Sequence, residues 1–160
     1  MSANNGKKIV LQGIFEDKTF DRLKGQGVKE AFVLEGRPSL KAAESSSRQL
    51  LKRGIKPILI SDNMAGFLFA KDMVKEVWLS YQISDEKGAV CRIGSLILGV
   101  LAKRHKAPVY IFKSGEKTEF MGKPRDLFNF QGKRVAPSGI KAYVPLVEWV
   151  PQKYIDKHYE

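Results

Sequence analysis

The residues best suited by type and position to grip an anion are three cations, two capping residues, two glycines and one amide. Arg37 stands in Glu35-Gly36-Arg37-Pro38 ahead of a helical stretch, Lys41 lies near the start of that stretch, and Arg92 sits in GAVCRIG ahead of another. Guanidinium forks match two phosphate oxygens at once, and helix N-termini offer free N–H groups to an anion. Asp62 and Asn63, within Ser61-Asp62-Asn63, are N-cap residues for a helix reaching Ala70. Gly88 and Gly94 flank Arg92 and leave room for close backbone approach. Gln82 follows the apolar run that begins at Val77. In open α/β folds the carboxyl ends of strands are where ligands bind. An amide there can hold a ligand but cannot exchange protons as a carboxylate does. The expected ligand-binding residues are therefore Arg37, Lys41, Asp62, Asn63, Gln82, Gly88, Arg92 and Gly94, with no catalytic residue among them. The competing reading has Arg37 paired with Glu35 or Asp62 as structural glue, and Arg92 solvated.

Other reactive residue types give weaker signals. Cys91 beside Arg92 and a helix start could have a lowered pKa, but a lone cysteine is more often a small, inert core residue. His105 and His158 have no partner acid and no metal-ligand spacing. No CxxC, P-loop, GxSxG or GxGxxG pattern occurs. No cofactor and no metal are expected.

The elements that must position these residues follow from apolar spacing. KKIVLQGIF is a strand or an ordered arm, and Asp17 to Lys24 a short helix stopped by Gly25 and Gly27. Ala31–Leu34, Pro57–Ile60, Glu76–Ser80 and Val109–Phe112 are apolar runs of strand length. Between them, Leu40, Ala43, Ser47, Leu50 and Leu51 recur at helical spacing, and Gly54 closes that helix at C′. Ile93, Leu96, Ile97, Val100 and Leu101 fall at i, i+3, i+4, i+7 and i+8. Gly94 and Gly99 then lie inside this helix, with Gly88 to Gly94 forming the loop before it. Strand–helix alternation means βαβ units and a mostly parallel sheet. Lys113 to Arg134 reads as a long polar loop with some disorder, Val144 to Val150 as a segment packing back on the sheet, and Pro151 as N1 of a short terminal helix.

Composition bounds the partners. A chain of 160 residues with 43% hydrophobic residues is one globular domain, read as residues 1–27 forming an N-terminal arm or short helix and 28–160 the α/β domain. One cysteine fits a reducing compartment, and MSANNGKKIV has no signal-peptide core. A cytoplasmic protein without a membrane span is expected. The net charge of +11 suggests an anionic ligand or partner. The dense run Lys103-Arg104-His105-Lys106 complements a helix C-terminus, so nucleic acid is possible but not favoured.

Several stretches together resemble the methylthioribose-1-phosphate isomerase and translation initiation factor 2B alpha/beta/delta subunit family, in its C-terminal domain. These are VLEGRPSLKAAESSSRQLLKRGIKPILISDNMAG, GAVCRIGSLILGVLAKRHKAPVYIF and QGKRVAPSGIKAYVPLVEWVPQKYI, running from about Val28 to Ile155. The resemblance implies a Rossmann-like three-layer α/β sandwich and a tendency to dimerise. It also implies departures. The family's catalytic cysteine belongs to an N-terminal helical domain with no counterpart in this sequence. Its catalytic aspartate, in G-A-D-R-I, aligns with Gln82, and its N-K-I-G pair with Cys91-Arg92-Ile93-Gly94. A substrate-contacting glutamine falls at Lys41. The expected protein is a stand-alone domain of this type, without isomerase chemistry, that forms a homodimer and binds a sugar phosphate or nucleotide. Two alternatives stay open: an aldose–ketose isomerase half-enzyme completed by a partner chain, or an RNA- or translation-associated factor.

Overall fold

A computed structural model describes residues 6–160. Six parallel strands form the body of the sheet: β1 (Lys8–Gln12), β2 (Glu30–Leu34), β3 (Lys56–Ile60), β4 (Val74–Asp85), β6 (Val109–Lys113) and β10 (Lys157–Tyr159). Across the sheet they run β10-β6-β4-β1-β2-β3. The strand order reverses between β1 and β4. This is the Rossmann-like, doubly wound arrangement, whose ligand crevice opens at that switch point. The segment read as an arm through residue 27 supplies β1, the central strand, and α1 (Asp17–Gly25), which packs on the sheet through Phe20 and Leu23.

Alternating side chains on the strands build two cores, one on each face. Ile9 and Leu11 of β1, Val33 of β2 and Trp78 of β4 join α1 and α2 (Lys41–Lys52) on one side. Val10, Phe32, Val77 and Leu79 meet α3 (Ala65–Ala70) and α4 (Ser95–His105) on the other. Hence three layers. Gly54, at φ 71, follows the α2 C-cap, where Ile55 N–H returns to the Leu50 carbonyl.

Several expectations are corrected. The strand expected over Glu76–Ser80 runs on to Asp85 and turns back as β5 (Gly88–Arg92), antiparallel to it. The stretch from Gly88 is therefore a strand and not a loop. A Cβ at Gly88 would lie 2.3 Å from the Val150 carbonyl oxygen, so this glycine serves the close pairing of β5 with β9 (Val147–Pro151). The segment Val144 to Val150 thus extends the sheet edge through β9 and does not cover a face. Pro151 ends β9 and precedes a 3₁₀ turn, Gln152–Tyr154; no terminal helix forms, and β10 follows instead. Gly94 is the left-handed N-cap of α4, at φ 94, and lies outside the helix. Gly99 is inside it, packed against Tyr154. The polar segment 113–134 contains α5 (Arg125–Phe128) and a small hairpin of β7 (Asn129–Phe130) and β8 (Lys133–Arg134).

Candidate ligand-binding site

The switch point is built from the ends of β1 and β4. Gly13 follows β1, and a Cβ there would fall 1.9 Å from Ser80 Oγ. Its absence lets the two strand ends close up, so that Ile14 N–H donates to Ser80 Oγ at 3.0 Å. Gln12, 1% exposed, donates through Nε2 to the Ile93 carbonyl at 2.8 Å. Its Oε1 and the hydroxyl of Ser95, on the first residue of α4, are buried without a protein partner.

Arg92, at the end of β5, is 7% exposed. Its guanidinium donates to Thr118 Oγ1 at 2.7 Å and to Ser39 Oγ at 2.8 Å. The solvated reading of this residue is overturned. Among the described residues the only carboxylate within 4.0 Å is that of Glu116, itself 45% exposed. Burial pushes the guanidinium below its ordinary value, and Glu116 acts in the opposite direction. The side chain is a desolvated cation with weak compensation.

Gln82 holds the same loop. Its Nε2 donates to the Thr118 carbonyl at 3.1 Å, and its Oε1 accepts from Thr118 N–H at 2.9 Å. An ionised carboxylate at this position could accept but not donate, so the double contact needs an amide. Thr118 is thus held by Gln82 through its backbone and by Arg92 through its hydroxyl. Beside it, Gln82, Tyr81 and residues 113–117 line a hollow of about 440 Å³.

The remaining expected residues are placed less favourably. Asp62 accepts from Gly36 N–H at 2.9 Å and Arg37 N–H at 2.8 Å, so it fixes the turn before α2 and caps no helix of its own. Asn63 is exposed and accepts from Ser61 Oγ. The Arg37 guanidinium lies over the Phe130 ring, 4.2 Å from its centroid, and makes no pair with Glu35 or Asp62. Lys41 is exposed on the first turn of α2. At α4 the Leu96 N–H is taken by Glu148 at 2.9 Å. The chain's own carboxylates therefore already occupy the amides of Gly36, Arg37 and Leu96. Cys91 is buried, and its thiol is pushed up to about 12 by burial and then by Glu148. That is the opposite of an activated nucleophile. Among the described residues no cluster of metal-ligating side chains occurs, and no helix is long and apolar enough to cross a membrane.

Gln12, Ser39, Ser95 and Thr118 were not expected from sequence. Gln12 had one available signal, its place at the end of the apolar run KIVL. Thr118 had none.

Residues 22–158 match the profile of the Initiation factor 2 subunit family. The chain is 32% identical to a methylthioribose-1-phosphate isomerase of Desulforudis audaxviator (strain MP104C) over 143 residues, covering 82% of this chain and 41% of that protein. Two solved structures share the fold. The translation initiation factor eIF-2B subunit delta from A. fulgidus has a TM-score of 0.78 at 20% identity, covering 92% of this chain and 50% of that one. The tetrameric eIF2B-beta2-delta2 complex from C. thermophilum has a TM-score of 0.64 at 19% identity, covering 96% and 50%. The chain spans well under half the length of the isomerase it matches.

Proposed function

The chain belongs to the Initiation factor 2 subunit family, and from that premise we propose that it is a binding domain for a phosphorylated small molecule, a sugar phosphate or nucleotide, without isomerase chemistry of its own. One observation carries this reading: Arg92 is buried at the switch point with two neutral hydroxyl partners and one carboxylate at 4.0 Å. Desolvating a cation costs several kcal/mol unless an anion offsets it, and a phosphate can replace two hydroxyl contacts with a bidentate one. Gln12 Oε1 and Ser95 Oγ are further buried polar atoms without a protein partner, and Gln12 is bonded to the Ile93 carbonyl, next in sequence to Arg92. Lys41, exposed at the start of α2, adds long-range attraction. The Leu96 amide of α4 and the turn amides of Gly36 and Arg37 are not the anchor, because Glu148 and Asp62 hold them.

Calorimetric titration with sugar phosphates and nucleotides at fixed ionic strength tests the reading. A charge-assisted contact is worth roughly 1.5–3 kcal/mol, so Arg92→Ala should weaken binding by about ten- to a hundredfold. If no compound in the panel binds the parent more tightly than sulfate does, the binding role is discarded.

Self-association as a two-fold dimer accompanies this proposal. Ile83, Val90 and Trp149 form one cross-strand row on the antiparallel flap of β4, β5 and β9. Ile83 is 52% exposed and Trp149 40%, whereas Val144, Val147 and Val150 of the same apolar tail are buried. Light scattering at tens of micromolar should give twice the chain mass; a monomer mass rejects the dimer.

A second reading is favoured by coverage alone. Because the chain spans 41% of the isomerase it matches, a separate chain could supply the rest of an aldose–ketose isomerase. Co-purification of such a chain, with turnover appearing only in the complex, would favour it over the binding domain.

A further inference from the structure

The opposite edge of the sheet, where the parallel strands begin, carries a different chemistry. Three adjoining hollows of about 390, 320 and 310 Å³ lie along it. The first and second share Lys7 and Lys75, and the second and third share Lys106, Ala107 and Pro108, so they form one continuous groove. It crosses the starts of β2, β1, β4 and β6 and reaches the turn before β10. At about 4.8 Å per strand, that is a track of roughly 19 Å.

Seven lysines and four carboxylates line the groove. Each carboxylate already has an internal partner. Asp72 pairs with Lys7 and Glu30 with Lys8, Glu76 accepts from the Trp78 indole, and Asp156 accepts from Val109 N–H. Lys29, Lys75, Lys103, Lys106 and Lys153 are exposed and, among the described residues, make no ion pair within 4.0 Å. The preceding residues Met1–Asn5 contain no acid. Tyr154, half-buried, lines the third hollow with Lys103 and Lys153 near its ring.

We propose that this groove binds single-stranded nucleic acid. A basic groove that tracks a phosphodiester backbone, with an aromatic ring for a base to stack on, is the general solution for single strands. A membrane surface fits less well, because none of the exposed large hydrophobic residues lines the groove. The run Lys103 to Lys106, a helix end by sequence, contributes two of the five free cations. The groove lies at the far end of the strands from Arg92, so it stands or falls independently of the small-molecule reading.

The test is fluorescence anisotropy with labelled 20-mer oligouridylate and oligodeoxythymidylate, in a salt titration. Five phosphate contacts predict a log–log salt slope of about −3.5 for a single strand. Lys75→Glu/Lys106→Glu should lower affinity at least tenfold and flatten the slope. Lys123→Glu/Lys141→Glu, exposed loop residues that remove the same charge, should change affinity much less. Thermal melts of both variants check folding, and Lys29→Glu alone replaces the groove pair if its melt is altered. Equal losses in both double variants would mean a diffuse field and reject the groove. So would absence of oligonucleotide binding at low salt, binding to duplex alone, or binding only to phosphatidylserine vesicles.

Discussion

Incubated alone with methylthioribose 1-phosphate, the purified chain should give no turnover above the blank. The expectation rests on Gln82. Both ends of its amide are engaged by the Thr118 backbone, and an amide does not ionise near neutral pH, so it cannot serve as a general acid or base as a carboxylate does. General acid–base groups typically contribute about 10²- to 10⁴-fold, so a chain with Gln82 in place of the acid should fall well below an active isomerase even if substrate still binds. Cys91 cannot substitute as a nucleophile, since its thiol lies at about 12 and is buried. A progress curve that scales with protein concentration, survives further purification and disappears in Arg92→Ala would refute the expectation. Gln82→Asp alone should not create activity. It removes the donor to the Thr118 carbonyl and sets a carboxylate against that oxygen, loosening the loop over Arg92.

Trp78→Ala should be the most destabilising change at a single core position. Trp78 is 1% exposed, lies 4.3 Å from the Phe112 ring by centroid, and belongs to an aromatic stack that continues to Tyr159. Truncating a buried tryptophan costs about 3–5 kcal/mol, a large share of the roughly 5–15 kcal/mol that holds a domain together. The variant also strands Glu76, 9% exposed, whose carboxylate accepts the indole N–H at 2.7 Å. A melting temperature lower by about 6–20 °C follows for a chain of this size. Trp78→Phe keeps most of the volume and loses only the hydrogen bond, so it should fall between parent and alanine variant. Urea midpoints of the three proteins order them; an alanine variant within 1 kcal/mol of the parent would show that β4 is not the keystone of this core.

The α/β alternation was legible because its signals are local. Apolar spacing announced a helix near Ile93 to Leu101, but not its inner face: Ile93 precedes α4, Ile97 and Val100 are exposed, and the residues that α4 buries are Ser95, Leu98, Gly99 and Ala102. Gly54 supplies a left-handed residue after a helix, and four apolar runs of strand length stand between helical stretches. Residue type also marked Arg92 as the cation to watch.

What the sequence by itself determined is therefore the class of element at most positions, the parallel sheet and the presence of cations near strand ends. The tertiary structure decided which of those cations is buried and by whom. Arg92 is held by Ser39, 53 positions away, and Thr118, 26 away, and the α4 amide is held by Glu148, 52 positions away. No local spacing encodes such partners. The same holds for the strands that were missed. Ile83 to Asp85 are exposed, so they lack the apolar alternation that announces a strand, and they are strand only because β5 pairs with them. β10 is three residues, Lys157–Tyr159, completed by hydrogen bonds to β6. The lysine groove is the clearest case. Its cations are scattered from Lys29 to Lys153 and become neighbours only because parallel strands bring their starting ends to one edge of the sheet.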